Sequence, residues 1–115
     1  RDGHAVLYLG DQDFSYHPAF VPFFGLQAAT ATALPELMAQ SGAVALPTWM
    51  QRMPDGRYRL RIEPQWPGWP SGDPVADAAR YMAELEAVVR EAPAQYLWVH
   101  RRFKTRPPGE PDLYA

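Results

Sequence analysis

Seven consecutive residues, His100-Arg101-Arg102-Phe103-Lys104-Thr105-Arg106, carry four formal positive charges and no acid. Arginine offers a planar fork of donors and lysine a mobile point charge, so the cluster suits a phosphate or another anion. The same charges also fit a solvated helix end, where cations offset the C-terminal dipole by about 0.3–1 kcal/mol. Nucleic acid is a competing anion, with Tyr96, Trp98 and Phe103 available for stacking on bases. It ranks lower, because the cluster is small, the net charge is -2 and no nucleic-acid-binding signature is present. A second polar group, Asp11-Gln12-Asp13, follows the apolar run Ala5-Val6-Leu7-Tyr8-Leu9 and Gly10. Ligands gather beyond the carboxyl ends of strands in open α/β sheets, which makes this a place for a site. A solvated loop with a helix-capping aspartate reads equally well.

Nucleophilic catalysis needs a base beside a nucleophile, which leaves His4, His17 and His100 with Ser15, Ser41, Ser71 and the threonines. No recognised spacing joins them: G-x-S-x-G, H-E-x-x-H, the P-loop and G-x-G-x-x-G are all missing from the sequence. Asp11, Asp13 and His17 are too weak a set to expect a metal. No cysteine is present, so disulfides, thiolate metal sites and cysteine nucleophiles are excluded. No cofactor is expected.

The elements that would position these residues follow from periodicity. Ala5–Leu9 reads as a buried strand. Phe14 to Gly25, with five aromatics broken by Pro18 and Pro22, reads as an irregular loop whose rings are buried as core or against an apolar ligand. Leu34 to Gln40 is a short helix closed by Ser41-Gly42. Ala43 to Met53 and Tyr58 to Glu63 pair as antiparallel strands around Pro54-Asp55-Gly56. Tyr58, Leu60 and Ile62 share one face of the second strand, and Arg57, Arg59, Arg61 and Glu63 share the other, which is the one expected to be wet. Trp66 and Trp69 sit in a rigid linker expected to pack onto the sheet. Asp73-Pro74 caps a helix through about Glu91, with Val75, Ala78, Met82, Leu85 and Val89 as its apolar stripe and Asp77, Arg80, Glu84 and Arg90 solvated. Ala94 to about Phe103 reads as a further helix, and a proline-rich extended tail follows.

The order of these elements implies an α/β fold, a partial mixed sheet with flanking helices in one domain spanning 1–115. Composition is that of an ordinary globular chain, at 47% hydrophobic and 21% charged. No run reaches the ~18 apolar residues that span a bilayer, so the chain is expected to be soluble. Its beginning at Arg1, just ahead of an apolar run, is what a piece of a longer protein would show.

The segment Ala92-Pro93-Ala94-Gln95-Tyr96-Leu97-Trp98-Val99-His100-Arg101-Arg102-Phe103-Lys104-Thr105-Arg106-Pro107 resembles the C-terminal signature of the lipid A biosynthesis lauroyl/myristoyl acyltransferases. Asp11-Gln12-Asp13-Phe14 with Phe20-Val21-Pro22-Phe23-Phe24-Gly25, and Gly42-Ala43-Val44-Ala45-Leu46-Pro47 leading to Pro54-Asp55-Gly56, agree in order and spacing. The resemblance implies the C-terminal portion of a glycerolipid-acyltransferase-like fold. It also implies an enzyme at the cytoplasmic face of the bacterial inner membrane that moves a fatty acyl chain from acyl carrier protein to a hydroxyl of a lipid A precursor. The family's catalytic H-x-x-x-x-D/E motif is not met: His4 is followed five residues on by Leu9, His17 by Pro22 and His100 by Thr105. These residues are therefore expected to be inactive alone and to bind substrate, with Asp11, Gln12, Asp13, Phe23, Phe24, Gly25, Thr30 and Thr32 lining the site. Arg101, Arg102, Lys104 and Arg106 are expected to meet anionic groups of the saccharide or carrier. The alternative is a noncatalytic domain that binds anionic lipid or carrier protein through its basic segment.

Overall fold

The computed structural model describes residues 3–115. Its elements are β1 (Ala19–Phe23), β2 (Leu26–Thr30), α1 (Ala33–Ser41), β3 (Thr48–Arg52), β4 (Tyr58–Ile62), α2 (Pro74–Glu91) and a single 3-10 turn (Pro93–Gln95). The α/β class follows the sequence pattern, and the strands form two antiparallel hairpins, β1–β2 and β3–β4.

Helix α2 organises the molecule. Asp73 accepts hydrogen bonds at its side chain from the Val75 and Ala76 backbone N–H groups, and Pro74 starts the first turn. Ala78, Met82, Leu85 and Val89 on its inner stripe join Val21, Phe23 and Ala28 of the first hairpin in one core. Val75, expected on that stripe, is 51% exposed because it precedes the hairpin's reach. Asp77, expected in water, is buried. Its carboxylate accepts the Ser71 N–H at 2.8 and 3.0 Å, and its backbone oxygen accepts the Trp69 indole N–H at 3.1 Å. Trp69 is thereby anchored at the beginning of α2 rather than on a sheet, with Trp66 set edge-on against it.

Three other expectations change. Phe14 to Gly25 is not wholly irregular: its second half is β1, which pairs Phe23 with Leu26 around the two-residue turn Phe24-Gly25. Both turn residues have positive φ, 49° and 77°, as the tightest hairpin loops require. Pro22 is tolerated because β1 has a neighbour on one side only. Ala5–Leu9 forms no strand, and Val6, Leu7 and Leu9 are exposed, since no described segment offers it a ladder partner. The helix expected over Ala94–Phe103 reduces to one 3-10 turn followed by tight turns, such as those from His100 N–H to the Leu97 carbonyl and from Lys104 N–H to the Arg101 carbonyl. Long-range anchors at His100 and Arg102 outweigh local helix propensity there.

The second hairpin has the expected turn but a shorter first strand and the opposite orientation. Trp49 pairs with Arg61 and Gln51 with Arg59. These four residues share the face toward α2, where Arg61 reaches Glu91. Met50, Tyr58, Leu60 and Ile62 face outward and are exposed.

Candidate functional site

The loop Asp11-Gln12-Asp13 lies against the basic C-terminal segment, more than eighty residues away in sequence. Asp13 donates its backbone N–H to His100 Nε2 at 2.9 Å. The Asp13 carboxylate accepts the Thr105 N–H at 3.2 Å and the Thr105 hydroxyl at 2.8 Å. The Tyr96 hydroxyl donates to the Asp11 carbonyl at 3.2 Å. On the other side, a Cβ built on Gly10 would stand 2.9 Å from the Tyr81 hydroxyl, so glycine lets α2 approach this loop. The Asp11 carboxylate and the exposed Gln12 amide make no side-chain hydrogen bond among the described residues, which leaves both available to a ligand.

Burial and the loop's negative charge act together on the two tyrosines. Burial, and after it Asp11, pushes the Tyr96 hydroxyl up to about 12 and raises Tyr81 further above the ordinary phenol value. Both hydroxyls therefore remain neutral donors through the physiological range.

Arg102 sits inside the molecule, 1% exposed. Its Nη1 donates to the Ala29 carbonyl at 2.7 Å, and its Nη2 donates to the Thr30 hydroxyl at 2.8 Å and approaches Met82 Sδ at 3.7 Å. Its guanidinium also lies 5.9 Å from the centre of the Phe23 ring. Burial lowers its pKa, while Tyr96, Asp13, Tyr81 and Asp11 oppose that shift. Arg102 thus clamps the end of β2 and balances the charge of the acidic loop from below. It does not face outward with its neighbours. Arg106 is similarly engaged: Nη1 donates to the Gln27 carbonyl at 2.7 Å, and Nη2 pairs with Glu110. The outward cations are Lys104 and Arg101, the latter 5.6 Å from the centre of the Tyr114 ring.

The remaining expected site residues are more scattered. Phe23 is a core residue with no exposed surface. Phe24 stands at the hairpin tip, where its N–H donates to Glu86 Oε2 at 2.6 Å and its ring meets Trp98 at 5.7 Å. Gly25 completes that turn. Thr30 is buried under Arg102, whereas Thr32 begins α1 and donates its hydroxyl to Glu36 at 3.0 Å. The structure therefore gathers Asp11, Asp13, Thr30 and Arg102 into one region and sets the turn and Thr32 apart. Sequence reasoning missed His100, Thr105, Tyr81 and Tyr96 as the groups that hold the loop. Only the occurrence of three of them within the recognisable segment pointed to them.

Chemically, the region offers carboxylate and amide acceptors for hydroxyl groups, flanked by Arg101 and Lys104 for anions. Among the described residues, no three His, Cys, Asp or Glu side chains cluster closely enough to hold a metal. No described helix is long and apolar enough to cross a membrane.

The family model described as "Bacterial lipid A biosynthesis acyltransferase" matches residues 1–105. The chain is 42% identical to the lipid A biosynthesis palmitoleoyltransferase of Escherichia coli (strain K12), over 99% of this chain and 38% of that protein. It is 40% identical to the lauroyltransferase of the same organism, over 99% of this chain and 38% of that protein. The corresponding figures for its myristoyltransferase are 34%, 99% and 36%. The chain thus spans less than two-fifths of the length of these relatives.

Proposed function

Because this chain belongs to the bacterial lipid A biosynthesis acyltransferase family, we propose that it is the substrate-receiving part of an O-acyltransferase acting in lipid A biosynthesis. The reaction joins the acyl carbon of an acyl carrier protein thioester to a hydroxyl oxygen of a lipid A precursor. The C–S bond breaks, and the hydroxyl proton passes by way of a base to the departing sulfur. That base is a histidine oriented by an acid in an H-x-x-x-x-D/E motif, which these 115 residues do not contain. The chain alone therefore does not turn over, and the complete protein works at the cytoplasmic face of the inner membrane.

One observation carries this reading: the Asp11-Gln12-Asp13 loop is stapled to the His100–Thr105 segment through Asp13. The two stretches thus make one surface, and in the proposed reading Asp11 and Gln12 accept saccharide hydroxyls while the exposed Arg101 and Lys104 meet phosphate or an acidic carrier.

Replacing Arg101 and Lys104 together by glutamine in the complete protein tests the anion role without touching the core. The expected outcome is a rise in KM for precursor or carrier of about tenfold, equal to about 1.4 kcal/mol, with kcat nearly unchanged. Unchanged KM for both substrates would refute it.

A further inference from the structure

Trp98 and Val99 form the tip of a tight turn, closed by the His100 N–H donating to the Leu97 carbonyl at 3.0 Å. Turn tips in water usually carry glycine or small polar residues. This one carries three apolar side chains in a row, with Leu97, Trp98 and Val99 59%, 49% and 85% exposed. It is also held firmly: the Trp98 indole N–H donates to the Pro93 carbonyl at 2.7 Å, and the ring stands edge-on to Tyr96 at 4.8 Å and beside Phe24 at 5.7 Å.

Just beyond the tip, His100 accepts the Asp13 N–H and Arg102 is buried. Those two inward anchors leave Arg101 and Lys104 exposed, within one turn of each other through the Lys104 N–H bond to the Arg101 carbonyl. Neither cation makes an ion pair among the described residues, and no acid occurs in the sequence between Glu91 and Glu110. A rigid apolar tip is thus followed directly by two uncompensated positive charges.

We propose that this turn docks the protein on an anionic lipid bilayer, with Leu97, Trp98 and Val99 entering the boundary between headgroups and acyl chains and Arg101 and Lys104 lying on the lipid phosphates. Tryptophan favours that boundary, and apolar side chains beside cations are the composition that settles there. A protruding tip fits a deformable lipid surface, whereas a folded partner needs a matching hollow to receive it. Because His100 joins the turn to the Asp11-Gln12-Asp13 loop, docking sets the candidate site at the membrane surface. The proposal rests on the lipid acceptor and membrane location given above and goes beyond them by naming the surface. The two fail separately: product formed without contact by the turn removes the docking device alone, and contact without product removes the reaction alone.

The chain has no cysteine, so Val99→Cys accepts a single polarity-sensitive fluorophore, and Leu60→Cys on the exposed outer face of β4 supplies the comparison. With vesicles containing phosphatidylglycerol, the label at 99 should shift to the blue and be quenched by lipids carrying a nitroxide near the headgroup, while the label at 60 does neither. Replacing Arg101 and Lys104 together by glutamine should weaken co-sedimentation with these vesicles about thirtyfold at low salt. Leu97→Ser with Val99→Ser, both exposed, should weaken it at least tenfold with the cations intact. The same two labels in an otherwise cysteine-free complete protein, reconstituted in these lipids, give the reading independently of whether the 115 residues fold alone. An unquenched label at 99 in the complete protein, equal binding by the double glutamine variant, or equal binding to phosphatidylcholine alone would each overturn the proposal. So would a label shielded in the chain without lipid, which would mean that copies of the chain cover the turn, or a blue shift produced by acyl carrier protein and not by vesicles.

Discussion

Replacing Arg102 by methionine asks whether the buried guanidinium holds the acidic loop's foundation together. The side chain keeps much of its length and its contact with Phe23, so the loss is concentrated in two acceptors. The Ala29 carbonyl retains only the Phe14 N–H at 3.4 Å, and the Thr30 hydroxyl still donates to the Ala28 carbonyl but has lost the Arg102 donor. A buried acceptor stripped of its donor costs roughly 1–3 kcal/mol, and partial satisfaction puts both near the lower end. Two such losses come to about 2–3 kcal/mol. Part is returned, because a buried cation whose Nε has no hydrogen-bond partner among the described residues is no longer desolvated. The expected net destabilisation is about 2 kcal/mol, read as a lower urea midpoint at unchanged slope. Arg102→Lys should fall between, since one ammonium reaches one acceptor well. A double-mutant cycle with Thr30→Val should give a coupling of about 1 kcal/mol. If Arg102→Met were as stable as the parent, or more stable, the guanidinium would not be a clamp, and its desolvation would outweigh its bonds.

Gly25→Ala meets no neighbour within 4 Å, so its cost is that of the left-handed backbone alone, about 1 kcal/mol by urea unfolding. A neutral result would mean that the turn is not held at positive φ. Tyr96 supplies a pH test. Its folded value of about 12 lies above that of an unfolded phenol, about 10, so its contribution is fully present below the latter and is lost as pH rises from there through the folded value. Tyr96→Phe should flatten that part of the stability profile between pH about 10 and 12, and an unaltered slope would contradict the burial argument. Asp13→Ala removes the acceptor of both Thr105 bonds and should cost about 1–2 kcal/mol, with increased amide exchange at Thr105. Asp13→Asn, which keeps one oxygen for the hydroxyl, should cost less.

Helix α2 was legible because its start is written locally, in an aspartate cap and a first-turn proline, and its stripe has the helical period. The hairpin β3–β4 was legible as alternation about Pro54-Asp55-Gly56, yet alternation defines two faces without saying which is covered. Glu91 draws Arg61 inward, and that depends on a helix thirty residues away. Hairpin β1–β2 was hidden because Pro18 and Pro22 read as breakers and Phe24-Gly25 lacks the asparagine or aspartate that usually announces such a turn. In the candidate site, the acidic loop and the cationic segment were each visible by composition. Their contact was not visible, because it is made by Asp13 with His100 and Thr105 at long range. Nor does a row of basic residues reveal that Arg102 points into the core while Arg101 and Lys104 point out.

The central claim is tested most directly by incubating the complete protein with an acyl carrier protein thioester and a lipid A precursor and weighing the lipid product. The account predicts the mass of one added acyl chain, equimolar release of free carrier thiol, and no product from the 115-residue chain alone. Unmodified precursor from a folded complete protein, across acyl donors of different chain length, would contradict it.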